Sequence, residues 1–294
     1  MARPSWLKTR IFLDSSDPKE TEKIMALLGF LDGQTTNPTL VARNPQVQER
    51  LIKGEKFTQN ELMDFYKTTV QKISALIPNG SVSIETYVDH NTEADEILDQ
   101  AKEMFTWIPN AHIKMPINKA GLIAAREAVD LGIRVNMTLC FSQDQAEGVY
   151  AATRGACRGD VLISPFIGRL DDIGFMGTDL VENIQKMFHD LTYPNYNHVE
   201  VLAASLRNIN DLLHVIRIGV DIATCPFKVL TSWSNDSFLR PGPAFKRNFP
   251  KLEKIPFNQY FNFARDWYDV NISHHLTDKG IDLFSQDWNA LIKD

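Results

Sequence analysis

The chain is poor in cysteine: its 294 residues hold three, Cys140, Cys157 and Cys225, with no C-x-x-C pair among them. That excludes a disulfide framework or a cysteine-based metal cluster and points to a reducing cytoplasm. Long apolar runs are missing too. None approaches the roughly 18 residues of a membrane span, so no membrane role is expected. The N-terminal stretch Met1-Ala2-Arg3-Pro4-Ser5-Trp6-Leu7-Lys8 lacks the apolar core of a signal peptide. Positive charge is not in excess: 31 Lys and Arg face 37 Asp and Glu, for a formal net charge of −6. A nucleic-acid binder would want a basic face, so that partner is excluded. His274-His275 has no carboxylate or cysteine at metal spacing and reads as a surface pair, and no metal is expected. No segment is of low complexity.

What is present is ordinary globular material, 44% hydrophobic and 23% charged. At about 150 residues per domain the length suggests two domains, but one α/β barrel of roughly 250 residues fits equally well. From residue 10 to about 231, short apolar runs alternate with amphipathic stretches, the pattern of βα units and a parallel sheet. The strand candidates are Arg10–Asp14, Gly33–Thr36, Ser81–Thr86, Ala111–Met115, Ile133–Leu139, Val161–Pro165, Glu200–Ala204 and Asp221–Thr224. Eight strands favour a closed (β/α)8 TIM barrel over an open sheet.

Helix signals fall between them. Asp17-Pro18-Lys19-Glu20 reads as an N-cap, a proline in the first turn and a capping-box acid, with Gly29 closing the helix. Thr58-x-x-Glu61 opens another, with Leu62, Phe65, Val70, Ile73 and Leu76 on one face. Ala94, Ile97, Leu98, Ala101, Met104, Phe105 and Ile108 keep helical spacing. Ser142-x-x-Gln145 opens a helix, and Gly132 and Gly219 each end one. Beyond about residue 232 the pattern breaks into an irregular, Phe- and Pro-rich arm, packed over the barrel or onto a neighbouring subunit. A last helix is expected over about 277–292. The whole is read as a single domain, 1–294, with the barrel over about 10–231 and the arm and helix over about 232–294.

In a closed barrel the active site lies at the C-terminal ends of the strands. The polar residues there are Asp14, Thr35, Thr36, Asn37, Glu85, Lys114, Asn136, Thr138, Ser164, Arg169, Ser205 and Arg207. Taken singly, Asp14 is a turn cap, Asn37-Pro38 a loop opener and each Arg a solvated surface group. Lys114 differs, because Ile113-Lys114-Met115-Pro116 puts an ammonium inside an apolar strand, where uncompensated burial is costly. It serves either a structural salt bridge or an amine nucleophile that attacks a carbonyl and forms a Schiff base. Arg169 and Arg207 follow successive strands and, converging with Ser205, can grip a phosphate by forked hydrogen bonds. His112 is expected on the side of its strand opposite Lys114. Cys140 and Cys225 lack a partnered base and read as buried thiols; Trp233, Trp267 and Trp288 read as packing or interface aromatics.

These stretches resemble the transaldolases, in the branch of class I aldolase barrels whose Schiff-base lysine lies on the fourth strand. The resemblance runs through Ile11-Phe12-Leu13-Asp14, Thr35-Thr36-Asn37-Pro38-Thr39-Leu40, Ile113-Lys114-Met115-Pro116, Asn136-Met137-Thr138-Leu139-Cys140-Phe141-Ser142, Ile163-Ser164-Pro165-Phe166-Ile167-Gly168-Arg169, Ala204-Ser205-Leu206-Arg207-Asn208 and Asp221-Ile222-Ala223-Thr224. It implies Lys114 as the Schiff-base lysine and Asp14 as general acid/base, with Glu85 and Thr138 holding a water that shuttles protons. Asn37, Asn136 and Ser164 would bind the dihydroxyacetone part, with Thr35 and Phe166 beside it, and Arg169, Ser205 and Arg207 the phosphate. No cofactor is implied; the partners are phosphorylated sugars, and the chain is expected to form a homo-oligomer.

The implied activity transfers a dihydroxyacetone unit between sugar phosphates in the non-oxidative pentose phosphate pathway. Leu206 stands where Phe is more usual, Cys225-Pro226-Phe227 replaces Ile-Pro-Pro, and Ser15-Ser16 follows Asp14. These bear on substrate preference. The arm beyond 232 resembles the larger transaldolases poorly; Phe284-Ser285-Gln286-Asp287-Trp288 looks like the end of the short ones. The same superfamily holds fructose-6-phosphate aldolases, which carry Gln in place of Glu85 and Tyr in place of Phe166. Both residues here are of the transaldolase type. The alternative from another class is a non-catalytic barrel that only binds sugar phosphates, which would need none of Lys114, Asp14 and Glu85.

Overall fold

Eight parallel strands close into a barrel in the computed structural model, which describes residues 3–189, 197–245, 247 and 251–293. They are β1 (Arg10–Asp14), β2 (Gly33–Thr35), β3 (Ser81–Glu85), β4 (Ala111–Pro116), β5 (Val135–Cys140), β6 (Val161–Pro165), β7 (Val199–Ala203) and β8 (Ile222–Cys225). Each pairs with the next in sequence, and β8 returns to β1. The (β/α)8 expectation holds strand for strand. The fifth strand begins two residues later than expected and ends with an irregularity between Met137 and Cys140. Leu139 there sits at φ 61°, in the left-handed region that a leucine seldom adopts.

Twelve α-helices are found among the described residues: α1 (Pro18–Leu28), α2 (Pro38–Ala42), α3 (Pro45–Ile52), α4 (Gln59–Leu76), α5 (Ala94–Phe105), α6 (Lys119–Asp130), α7 (Gln143–Ala152), α8 (Ile167–Asp171), α9 (Gly177–His189), α10 (Ile209–Ile218), α11 (Phe227–Asn235) and α12 (His275–Asn289). Local chemistry sets several boundaries. Asp17 caps α1 through the Lys19 amide at 2.9 Å, and Gly29 closes it at φ 79°. The expected capping box does not form there, because the Glu20 carboxylate accepts from the Ser15 hydroxyl instead. On α4 the box is complete: Glu61 N donates to Thr58 Oγ1 and Thr58 N to Glu61 Oε2. Ser142 caps α7 through Gln145 N at 3.0 Å. Gly219 caps α10, whereas Leu131 caps α6 and Gly132 follows it at φ 75°.

Of the two seats considered for the arm, the structure shows the chain's own barrel. Gln143 on α7 exchanges hydrogen bonds with the Asn258 backbone at 2.7 and 3.1 Å. Asn183 on α9 donates to Ile255 O at 3.0 Å, and the Phe263 ring lies 4.5 Å from that of Tyr150. Helix α12 then crosses the C-terminal mouth of the barrel and packs on α2. Its Thr277 hydroxyl takes up the Leu139 carbonyl at 2.9 Å. It starts at His275 rather than Thr277, because the half-buried His274 is its N-cap: Nδ1 accepts from Leu276 N at 3.2 Å while the ring stacks on Phe141. That corrects the reading of His274 as a surface histidine. Trp233 and Trp288 are core residues, as expected. No helix among the described residues is long and apolar enough to cross a membrane.

Candidate active site

Register puts the first polar pairs together. Parallel neighbours share a face, and β3 pairs with β4 so that Glu85 lies beside Lys114. Their side chains meet at 2.7 Å between Nζ and Oε2, each only 4% exposed. The ammonium also donates to the Thr36 carbonyl at 3.3 Å. In the same way β1 sets Asp14 beside Thr35 on β2, and the Thr35 hydroxyl donates to Asp14 Oδ1 at 2.7 Å. Burial is the main influence on both carboxyls and pushes them above their ordinary range; the Lys114 charge opposes it in each case, as does the Thr35 bond at Asp14.

A cavity of about 310 Å³ opens over these groups at the C-terminal end of the barrel. Asp14, Thr35, Asn37, Lys114, Ser164, Phe166, Arg169, Ser205 and Arg207 all line it. Asn136 is fully buried and does not line the cavity itself, but it backs Ser164, which does: Ser164 Oγ donates to Asn136 Oδ1 at 2.7 Å, and Asn136 Nδ2 donates to Ser83 Oγ at 3.0 Å. Asn37 caps α2 through Leu40 N at 2.9 Å and still borders the cavity, so the loop-opener reading and the site reading are both realised. Thr138 is fully buried, and its Oγ1 has no hydrogen-bond partner among the described residues. Beside Glu85, Pro116, Leu139 and Phe284 a second, small cavity of about 10 Å³ adjoins the main one.

The cationic rim is built beyond the strand ends, on the short helix α8 and the loop after β7. Arg169 sits within the short helix α8 with its guanidinium over both the Phe166 and Phe284 rings, each at 5.1 Å. Burial draws its pKa down, opposed by the charge of Glu85. Arg207 is exposed and donates from Nη2 to Asp172 at 2.8 Å. Ser205 precedes it at φ 59°. Gly168 is needed where the two loops touch, since a Cβ there would come within 2.2 Å of Arg207 Nε and 2.6 Å of Ser205 O.

Comparison with known proteins now adds to this geometry. Residues 11–294 match the model of a family described as Transaldolase/Fructose-6-phosphate aldolase. The chain belongs to that family. A probable transaldolase of Dehalococcoides mccartyi is 32% identical over 284 residues, covering 97% of this chain and 100% of its own. Probable transaldolase 2 of Listeria monocytogenes is 33% identical over 282 residues, 96% of each chain. A probable transaldolase of Herpetosiphon aurantiacus is 34% identical over 283 residues, again 96% of each.

In this transaldolase-family barrel several site residues lay outside the sequence expectations. Tyr66 on α4 is fully buried and its hydroxyl reaches the site wall: Glu85 N donates to Tyr66 Oη at 2.9 Å, and the phenol shares a hydrogen bond with Thr36 Oγ1. It lies on the buried face Leu62-Tyr66-Val70-Ile73, in place of the expected Phe65. Thr224 pairs with Thr35 Oγ1 at 2.6 Å. Arg43, Leu283 and Phe284 also line the cavity, the last two from α12. His112 is corrected. Residues two apart on a strand share a face, and His112 lies inside the opposite end of the barrel, bonded to Ser81 Oγ at 2.8 Å and Gly159 O at 2.9 Å. Burial lowers its pKa to about 4. Cys140 and Cys225 are buried as expected, with Cys140 pushed up to about 12 by burial.

Proposed function

We propose that this chain is a transaldolase that carries a dihydroxyacetone unit from a ketose phosphate, fructose 6-phosphate or sedoheptulose 7-phosphate, to an aldose phosphate in the non-oxidative pentose phosphate pathway. The observation that carries this is the buried Lys114–Glu85 pair at 2.7 Å, set with Asp14 at the floor of a cavity rimmed by Arg169 and Arg207. A pure phosphate binder has no use for such a floor. Three free cysteines are consistent with work in a reducing cytoplasm.

In this reading Glu85 takes a proton from Lys114, and the freed Nζ attacks the ketose C2 carbonyl. The C2 oxygen leaves as water, giving a protonated imine that acts as the electron sink, so no metal or organic cofactor is called for. Thr138, whose buried hydroxyl has no partner among the described residues, would hold with Glu85 the water that moves these protons; the small cavity beside Glu85 has room for about one. Asp14 takes the proton of the C4 hydroxyl and the C3–C4 bond breaks. The electrons of that bond pass into the imine, leaving an enamine on Lys114 and releasing an aldehyde. Raised by burial, the Asp14 carboxyl is a stronger base than an ordinary one. Asn37, Asn136, Ser164 and Thr35 orient the three-carbon unit, Phe166 borders it with an apolar ring, and Arg169, Ser205 and Arg207 hold the phosphate. An acceptor aldehyde then enters and the steps reverse.

The test is incubation with fructose 6-phosphate, with and without erythrose 4-phosphate. The expected products with acceptor are sedoheptulose 7-phosphate and glyceraldehyde 3-phosphate, with little free dihydroxyacetone in its absence. Dihydroxyacetone released as fast without acceptor would make the chain a fructose-6-phosphate aldolase. No product in either case would leave a sugar-phosphate-binding barrel.

A further inference from the structure

Arg247 lies in the arm, outside the cavity, with its side chain only 2% exposed. A guanidinium buried to that degree needs full compensation. Its Nη1 donates to Asp171 Oδ1 at 3.0 Å, its Nη2 pairs with Asp171 Oδ2, and its Nε meets Asp211 Oδ1 at 2.6 Å. Its backbone N–H donates to His214 Nδ1 on α10 at 3.3 Å.

Both carboxylates belong to the cationic rim. Asp171 ends α8, two residues after Arg169, and its neighbour Asp172 takes Arg207 Nη2 at 2.8 Å. Asp211 opens α10, and its Oδ2 accepts the backbone N–H of Arg207 at 2.8 Å and of Asn208 at 3.3 Å. One arginine from the arm therefore grips the end of α8, which bears Arg169, and the carboxylate that holds the backbone of Arg207. The two loops also touch directly, Gly168 N donating to Ser205 O at 3.0 Å. A displacement of either is passed to the other.

From this we infer that Arg247 is a positioning residue: the arm sets the separation and aim of Arg169 and Arg207 through the Asp171–Arg247–Asp211 triad. The inference rests on the reading that these two arginines hold a substrate phosphate. A buried ion triad is a poor source of stability, since apolar groups of the same shape often serve as well. Direction is what a planar fork adds: a two-point grip on Asp171 fixes the carboxylate in its plane, which a lysine or an apolar contact cannot do.

The test compares the wild type with Arg247→Met in three measurements. These are KM and kcat for transfer from fructose 6-phosphate to erythrose 4-phosphate, the rate on unphosphorylated fructose, and amide hydrogen exchange over residues 167–172 and 205–211. The expected result is a KM for the phosphorylated ketose roughly ten-fold higher, about what one charge-assisted hydrogen bond carries, with kcat within about two-fold. The fructose rate stays put, and exchange quickens in those two segments but not in β1–β4. Asp171→Asn, nearly unchanged in volume, should give a weaker form of the same pattern and stands in if Arg247→Met fails to fold.

Unchanged exchange in the two segments, or equal losses on both sugars, would make the triad purely structural and overturn the inference. Arg207→Ala separates the two claims. If it raises KM while Arg247→Met does not, positioning alone is wrong. If Arg207→Ala leaves KM unmoved, the phosphate reading has failed and the inference falls with it.

Discussion

The floor and the rim of the cavity are made in different ways. At the floor, Asp14, Glu85, Lys114 and Asn136 ride on strands, and barrel register alone brings each beside its partner. Glu85, Lys114 and Asn136 are almost wholly buried. At the rim, Arg169 on the short helix α8 and Ser205 and Arg207 on a loop are half-buried or exposed, and their contacts come from outside the strands: Asp172, Gly168 and Phe284 of α12, with the arm gripping carboxylates beside them. Under the proposed function the difference follows from the task. Making and breaking bonds demands placement to well under an ångström, whereas holding a phosphate needs charge and access.

The largest effect separating the two regions should come from Lys114. Lys114→Arg keeps the charge beside Glu85 but cannot shed its proton to attack a carbonyl. Transfer should fall at least about a thousand-fold, the scale of losing a covalent step, on phosphorylated and unphosphorylated ketoses alike. In the wild type, borohydride with fructose 6-phosphate should inactivate the enzyme and leave one three-carbon unit on Lys114. A variant that still transfers, or label on another lysine, would remove the floor from the chemistry.

A smaller effect, selective for substrate, should come from the rim. Arg169→Ala or Arg207→Ala should raise KM for phosphorylated sugars by about ten-fold or more, since a hydrogen bond to a charged group is worth about 1.5–3 kcal/mol. Rates on ketoses without phosphate should change far less. Arg169→Ala should cost more than Arg207→Ala, because Arg169 is the more enclosed, between two aromatic rings, while Arg207 shares its charge with Asp172 in the open. Steady-state kinetics on both substrate types checks this, and equal losses on the two would dissolve the distinction between rim and floor.

The same distinction explains what the sequence made legible. Strand runs, their polar ends and one lysine in an apolar strand are local patterns, so the barrel and the floor could be read directly. Arg169 and Arg207 could be placed because they follow strands at short range. Arg247 could not, for its partners Asp171 and Asp211 lie 76 and 36 positions away and no periodicity links them. The meeting of Gln143 with Asn258 is hidden in the same way, as is Phe284 over Lys114. Leu139 shows another limit. A leucine carries no mark of left-handed backbone, and its conformation holds here within a bulge whose carbonyl is taken up by Thr277 of α12. Tyr66 is missed because apolar spacing draws the face of α4 through its neighbour Phe65, whereas the buried face runs through Leu62, Tyr66, Val70 and Ile73.

The smallest expected effect sharpens the floor from within. In the proposed mechanism Asp14 must be ionised to take the C4 hydroxyl proton, so activity should be present above its pKa and lost as pH falls through it. Burial raises that pKa above the ordinary aspartate value, which places the acid limb of the rate higher than an exposed aspartate would. The Thr35 hydroxyl donates to the ionised carboxylate at 2.7 Å and holds the pKa down against burial. Thr35→Val keeps the shape and removes the donor, so the carboxyl rises further. The acid limb of kcat should therefore move to higher pH, with the rate on the alkaline plateau within about three-fold of wild type, as fits the loss of one supporting hydrogen bond of roughly 0.5–1.5 kcal/mol. Thr35→Ser, which keeps the donor, should restore the wild-type limb. A pH–rate profile of the three proteins decides it. A limb that stays in place in Thr35→Val would mean that Asp14 does not set it, and the proton would have to be taken by another group on the floor.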